Sequence, residues 1–192
     1  MKNKGNSDGN TPSEPKKYTS AAEAANAAKN DMLAGMDQNV NFGVDKEKLR
    51  ASKPEEAIQR NQIDMNGLIN ADSSTSFEKI AMNEGSSVIP FVNNREIIAV
   101  CGLSNDNNEY RITGLGDKYL TSELNMIYAM NAEMRGKIAI MEIQNLTATI
   151  YELKGPNGNM YYSSYNGHNI KEGISESEMI RILRADAITF NK

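Results

Sequence analysis

The chain has 192 residues, of which 39% are hydrophobic, and its formal net charge at pH 7 is -4. This length fits one domain, or one domain with a tail. Lysine and arginine form no long run, so the basic patch that neutralises phosphates is missing and we expect no nucleic-acid binding. No apolar stretch approaches the roughly 20 residues that span a bilayer.

The first segment, residues 1–17, reads MKNKGNSDGNTPSEPKK and is almost wholly polar. So little apolar surface cannot offset the entropy of ordering, and we expect a disordered tether. The segment resembles the polar tether that follows the lipidated cysteine of mature bacterial lipoproteins. The resemblance implies an exported protein of the periplasm or cell surface, whose membrane contact is a lipid on a cysteine that Met1 replaces. The alternative is an ordinary disordered N-terminus of a cytoplasmic protein.

Helix signals follow the tether. Ser20 and Glu23 form a capping box ahead of an alanine-dense run, which predicts a helix from about 20 to 35. Pro54 precedes two acidic residues and then apolar residues at helical spacing, which predicts a second helix near 54–69.

Beyond residue 87 the pattern changes to short apolar runs separated by turn residues. The runs VIPFV, EIIAVCGL and EYRITGLG, with asparagine-rich turns between them, predict an antiparallel meander over about 87–114. A helix is predicted to begin at Asp117 or Thr121 and to end at Gly136, because its apolar residues share one face.

A second meander is predicted over about 137–165. KIAIMEIQ is apolar on both faces, and ATIYEL pairs with Met160–Tyr165 about the turn at Gly155–Gly158. A capping box at Ser175 opens a short helix, and Ala187–Phe190 is a candidate terminal strand.

These elements predict an α+β fold whose antiparallel sheet is built from the two meanders with a helix between them. The N-terminal helices and the short C-terminal helix are expected to pack on the sheet. The predicted organisation is a tether (1–17) and a single domain (18–192), which has a possible helical part (18–82) and a sheet part (87–192).

Residues that usually carry catalysis do not gather in this sequence. His168 is the only histidine and Cys101 the only cysteine, and no spacing supplies either with a metal-ligating or catalytic partner. We therefore expect no catalytic residue, no metal and no cofactor. The alternative is an enzyme with Cys101 as nucleophile, although the apolar run around it favours a buried thiol.

Tyrosine is the one residue type with a biased distribution, since four of the eight lie between residues 151 and 165. On a strand, Tyr161 and Tyr165 share one face and Tyr162 points to the other. An exposed tyrosine row offers rigid contact area with polar tips. The candidate binding residues are therefore Tyr161, Tyr165, Tyr162 and, in the following loop, His168. The alternative is cross-strand packing that only stabilises the sheet.

The stretch SSVIPFVNNREIIAVCGLSNDNNEYRITGLGDKYLTSEL resembles a module of secreted bacterial proteins. In that module three strands, the first two joined by an asparagine-rich turn, feed a helix through a glycine. Such units occur in the pro-regions of streptopain-like cysteine proteases and in related small lipoproteins. The resemblance implies a pro-region-like or inhibitory module without catalysis.

The sequence therefore favours a non-enzymatic, exported accessory or binding module. Its partner is an unknown protein or small ligand, contacted through the face of the C-terminal hairpin. One alternative is a carrier of a small apolar ligand in a cupped sheet, because the 11 methionines are flexible side chains of the kind that line adaptable pockets.

Overall fold

The computed structural model describes residues 16–131, 137–156 and 158–191. In these ranges one mostly antiparallel sheet carries helices on both faces, and the predicted α+β class with an antiparallel sheet is confirmed. The described residues form six α-helices: α1 (Ala21–Asp37), α2 (Lys46–Ala51), α3 (Met65–Ile69), α4 (Phe77–Ile80), α5 (Lys118–Met130) and α6 (Glu176–Phe190). The strands are β1 (Lys53–Pro54), β2 (Ile58–Ile63), β3 (Ala81–Asn93), β4 (Glu96–Asp106), β5 (Glu109–Leu115), β6 (Ile138–Ile143), β7 (Ala148–Leu153) and β8 (Met160–Tyr162).

The strands follow the order β5-β4-β3-β2-β6-β7-β8, and β1 pairs with the far end of β3. Neighbouring strands are antiparallel except β2 and β6, which run parallel. We call this parallel pair the seam. It joins an N-terminal set of strands, β2 to β5, to a C-terminal set, β6 to β8.

Helix α5 covers the first face of the sheet. Its apolar side chains bury residues from both strand sets and so hold the seam closed on that side. We call this cluster the α5 core; its members include Leu124, Ile127, Ile58, Val88, Val100, Ile140, Tyr151 and Tyr162.

The second face is covered by two separate clusters. The α1 core packs the small alanines of α1 on β4 and β5 and packs α2 on β3, and it includes Ala24, Ala28, Met32, Leu49, Ile89, Phe91, Cys101 and Leu103. The α6 core packs α3, α4 and α6 on the C-terminal strands, and includes Ile63, Leu68, Phe77, Met141, Ile150, Tyr161, Met179 and Leu183.

The predicted helix near 54–69 is wrong, because most of it is strand β2 followed by the short helix α3. Ile58 belongs to the α5 core and Ile63 to the α6 core. The two isoleucines therefore lie on opposite faces of a central strand. The apolar spacing of the sequence instead predicts them on one face of a helix.

The predicted terminal strand at 187–190 is also wrong. Helix α6 continues through Phe190, and Ala187 is buried on its inner face. Ser175 caps this helix as predicted, since its side chain accepts a hydrogen bond from the Glu178 backbone.

Two predicted segments extend beyond the described ranges. Residues 1–15 of the predicted tether and the predicted helix end at Gly136 lie outside them. The helix predicted from about 20 to 35 is confirmed as α1, with Ser20 as its N-cap. None of the helices in the described ranges is long and apolar enough to cross a membrane.

Candidate functional site

The structure places two of the candidate tyrosines inside the protein. Tyr161 is 1% exposed in the α6 core, and Tyr162 is 7% exposed in the α5 core on the other face. The predicted strand 160–165 ends at Tyr162, so Tyr165 does not share a strand face with Tyr161. An exposed tyrosine row is therefore wrong, because Tyr161 and Tyr162 are buried in the cores on the two faces of the sheet.

The other two candidates lie in the loop after β8. Tyr165 is half-buried; loss of solvent around its hydroxyl, together with the Asp186 carboxylate, raises the pKa of this phenol. It lines a shallow cavity of about 370 Å³ with Leu146 and Phe190. His168 is exposed. The four predicted residues therefore do not form one site.

Tyr161 borders a larger cavity of about 550 Å³, which we call the central cavity. It lies over the seam on the second face, beside the α6 core, with which it shares Phe77, Met141 and Tyr161. Its floor includes Gln59 and Asn61 of β2, Ala139 and Met141 of β6, Glu152 of β7 and Tyr161 of β8.

The local sequence explains why the sheet is open at this point. Gln59 pairs in register with Ala139, and Asn61 with Met141. Polar side chains on β2 and a small one on β6 give the neighbouring helices little apolar surface on which to pack. The gap between the two helical layers therefore follows from the residues of the seam.

Glu152 connects two neighbouring side chains of the cavity. Its Oε1 atom accepts hydrogen bonds from the Asn159 amide at 2.6 Å and from the Tyr161 hydroxyl at 3.1 Å. Burial of the Tyr161 hydroxyl, and then the charge of Glu152, raise the pKa of this phenol. Tyr161 therefore keeps its proton and remains a donor to the carboxylate. Its ring packs against that of Phe77, with the centroids 5.3 Å apart.

The opposite wall is formed by α4 and the start of α6. Glu176 Oε1 accepts a hydrogen bond of 2.8 Å from the Phe77 backbone, which ties the two helices together. Near the floor, the Gln59 amide nitrogen donates to Asn83 Oδ1 at 3.1 Å and to Asn61 Oδ1 at 3.4 Å. These bonds connect polar side chains that line the cavity.

A second cavity of about 530 Å³ lies between α6 and the loop that follows α3. Its polar groups are already engaged in local structure. Arg184 Nε donates to the Ile69 carbonyl at 3.0 Å, and Asp72 Oδ1 accepts from Ser74 and Thr75. We interpret this cavity as the junction between a helix and a capped loop.

The thiol of Cys101 is buried in the α1 core, and burial raises its pKa to about 12. A thiol in this environment is not a nucleophile near neutral pH. Among the described residues, no three His, Cys, Asp or Glu side chains lie close enough to hold a metal ion.

Comparisons with known protein families, with curated proteins and with solved structures found no match to this chain. The resemblances to lipoprotein tethers and to protease pro-regions therefore stay predictions.

Sequence reasoning identified Tyr161 but missed the side chains around it. Glu152 is a charged residue within β7 that stands between the apolar residues Tyr151 and Leu153 in the chain, and Gln59 follows the buried Ile58 on β2. This is the one available signal, because a polar group in the middle of a sheet usually marks an uncovered or functional face.

Proposed function

We propose that the protein is a non-enzymatic binding module whose ligand occupies the central cavity, against the second face of the β7–β8 hairpin. The observation that carries the proposal is the polar cavity over the seam at the middle of the sheet. Its volume falls within the roughly 300–1,000 Å³ of typical ligand sites.

The polar side chains of the cavity are better explained by ligand binding than by a contribution to the stability of the fold. Glu152 is half-buried on β7, next to the edge strand β8, and forms no ion pair with any described residue. A carboxylate in this position lowers stability unless it is hydrogen-bonded or solvated. Tyr161 and Asn159 satisfy one of its oxygens and hold the group in place. A preorganised polar group of this kind is what a binding site requires.

We further propose that the module is an accessory protein exported to the periplasm or cell surface, with an N-terminal lipid as its only membrane contact. This part of the proposal depends on the composition of residues 1–17 alone. A precursor sequence with a lipidation signal ahead of Lys2 is the expected finding, and a precursor without any export signal would contradict it.

The carrier of an apolar ligand has less support. Of the buried methionines, Met32 belongs to the α1 core and Met179 to the α6 core, and only Met141 also lines the central cavity. The buried methionines of the described ranges therefore do not surround one apolar pocket. A second candidate function is a pro-region-like inhibitory module. It is supported only by the resemblance of the three-strand stretch to protease pro-regions.

A thermal-unfolding screen tests the proposed function. Amino acids, amines, carboxylic acids, sugars and short peptides are each added at millimolar concentration to the wild type and to Ala139→Leu. A ligand of the native state raises the Tm in proportion to the logarithm of its concentration over Kd. We expect at least one class to stabilise the wild type and to lose this effect in the variant, whose larger side chain fills the floor.

The second blocking variant is Gln59→Trp, which obstructs the cavity from an exposed position and so leaves the buried clusters intact. Lys53→Trp, at an exposed position on β1 outside the cavity lining, is the matched control. Stabilisation that persists in both blocking variants, or a screen without any stabilising class, would contradict the proposal.

A further inference from the structure

We propose that the ligand of the central cavity carries a protonated aliphatic amine, an inference that rests on the proposed function. The charged side chains of the lining are the carboxylates of Glu78, Glu152 and Glu176 and the ammonium group of Lys154. Three negative groups against one positive group leave an excess of two negative charges. An anionic ligand is therefore repelled, and a cation is attracted.

The hydrogen-bonding groups of the cavity point to the same ligand. Glu152 and Glu176 each use Oε1 for donors of the protein, and no described residue donates to the Oε2 atom of either one. The amide oxygens of Asn61 and Asn83 add further acceptors beside Gln59. An ammonium group has three donors and no acceptor, so it complements a wall that is rich in acceptors.

The spacing of the carboxylates separates an organic cation from a metal ion. No three acidic side chains in the described ranges approach closely enough to ligate one ion. Glu152 lies on β7, whereas Glu176 begins α6 and Glu78 belongs to α4. Negative groups distributed around a cavity fit an extended cation, with an ammonium at one wall and a chain that crosses the floor.

The floor supplies an apolar surface for such a chain. Ala139 and Met141 are two residues apart on β6. Their side chains therefore point to the same face of the sheet and are neighbours there. Phe77, on the wall that α4 forms, adds a third apolar side chain to the lining. A polymethylene chain buries apolar area against these side chains while its charged end remains paired. Free diamines and the lysine side chain of a partner protein share this chemistry.

Isothermal titration calorimetry with four probes tests the inference. The probes are cadaverine, lysine blocked at both its α-amino and α-carboxyl groups, the anion caproate, and glucose. We expect the amines to bind the wild type and caproate not to bind. Binding of blocked lysine at least as tight as that of cadaverine indicates a lysine of a partner protein. Binding of cadaverine alone indicates a free diamine.

Single substitutions locate the charge that matters. Glu152→Gln and Glu176→Gln each keep the side-chain shape, and each is expected to weaken amine binding about tenfold, as the loss of one charged hydrogen bond implies. Glu56→Gln removes the same charge from an exposed position outside the cavity lining and is expected to change nothing.

The two proposals fail in different ways. Absence of amine binding at millimolar concentration, or equal weakening in Glu56→Gln, overturns the amine inference. If caproate or glucose binds the wild type and Gln59→Trp abolishes that binding, the amine inference is overturned and the proposed function stands. If no probe binds and no class in the thermal screen stabilises the protein, both proposals are overturned.

Discussion

Cys101 shows how burial alone decides the chemistry of a residue. Its side chain is fully buried beside Ile89 on the neighbouring strand, and its pKa is raised to about 12 because the thiolate would be desolvated. We expect no reaction with a thiol reagent in the native state and rapid, stoichiometric reaction in denaturant. If the reagent labels Cys101 stoichiometrically in the native protein, and faster than the protein unfolds, this assignment is contradicted.

Tyr161 combines packing with a hydrogen bond, and substitutions separate the two contributions. Tyr161→Phe removes only the donor to Glu152 and is expected to lower the free energy of unfolding by about 1 kcal/mol. Tyr161→Ala also leaves a void in the α6 core and is expected to cost about 3–5 kcal/mol. Urea unfolding measures both.

The control for these variants is Tyr119→Phe, which removes a hydroxyl from a side chain that is 87% exposed. We expect its effect to stay within about 0.5 kcal/mol. Equal effects of the two phenylalanine substitutions would show that the bond between Tyr161 and Glu152 contributes nothing to stability.

Among the elements, α5 is tied to the backbone of β4 by the side chain of Asn125, in addition to its apolar packing. Asn125 accepts from the Ile97 nitrogen at 2.9 Å and donates to the Ile97 carbonyl at 2.7 Å, beside an irregularity in the pairing of β3 with β4. Asn125→Ala leaves both backbone groups unpaired, and we expect a loss of about 1–3 kcal/mol.

Asn131→Ala is the comparison for this prediction, because the Asn131 amide at the end of the same helix donates to the Ile127 carbonyl at 3.2 Å and to the Tyr162 hydroxyl at 3.5 Å, and the Ile127 carbonyl keeps its bond from the Asn131 backbone nitrogen. We expect a smaller loss of stability in this variant, and urea unfolding of both proteins measures the difference. An equal or larger loss in Asn131→Ala would contradict the special role of Asn125.

Elements governed by local signals were predictable from the sequence. The turn between β3 and β4 has Asn94 at a φ of 50°, and that between β4 and β5 has Asn107 at 52°, which are left-handed conformations that asparagine tolerates. Strand β2 was not predictable in this way. Its register depends on β3 and on β6, which lie about 20 and 80 residues farther along the chain.

The site was less predictable than the fold, for a related reason. Tyr161 stood out by composition, whereas Gln59, Glu152 and Glu176 are distant in sequence and meet only through the seam. Without the strand order, a polar residue in mid-strand cannot be assigned to an open gap or to a covered face. The prediction of an exposed tyrosine row was wrong because Tyr162 packs in the α5 core and Tyr161 in the α6 core.

At the scale of the whole molecule, alkaline pH is expected to destabilise the fold. Burial raises the pKa of the Tyr151 and Tyr161 phenols, with the carboxylates of Glu123 and Glu152 adding to the effect. An unfolded tyrosine loses its proton near pH 10. Unfolding therefore releases protons above that pH, so the stability is fully present below about pH 10 and declines as the pH rises further.

Urea unfolding at about pH 8 and about pH 10.5 measures this dependence on either side of the unfolded tyrosine pKa. We expect the double variant Tyr151→Phe, Tyr161→Phe to be less stable than the wild type at the lower pH and to lose less on the change to the higher one. A wild type that is equally stable at both values would contradict the buried, protonated state of these phenols.

The architecture itself creates the cavity. One helix spans the first face of the seam, whereas the second face is divided between two helical layers that belong to different strand sets. A binding site at the junction of two sets of elements is a common outcome in mixed folds. We expect a ligand to bind at this junction.

The most direct measurement is an NMR titration of protein labelled at the methionine methyl groups, with cadaverine as the added ligand. Met141 lines the central cavity, whereas Met32 is buried in the α1 core and serves as the internal control. We predict a saturable shift of the Met141 resonance that is absent for Met32 and is lost in Gln59→Trp. A Met141 resonance that does not move, or that moves together with Met32, would contradict the account.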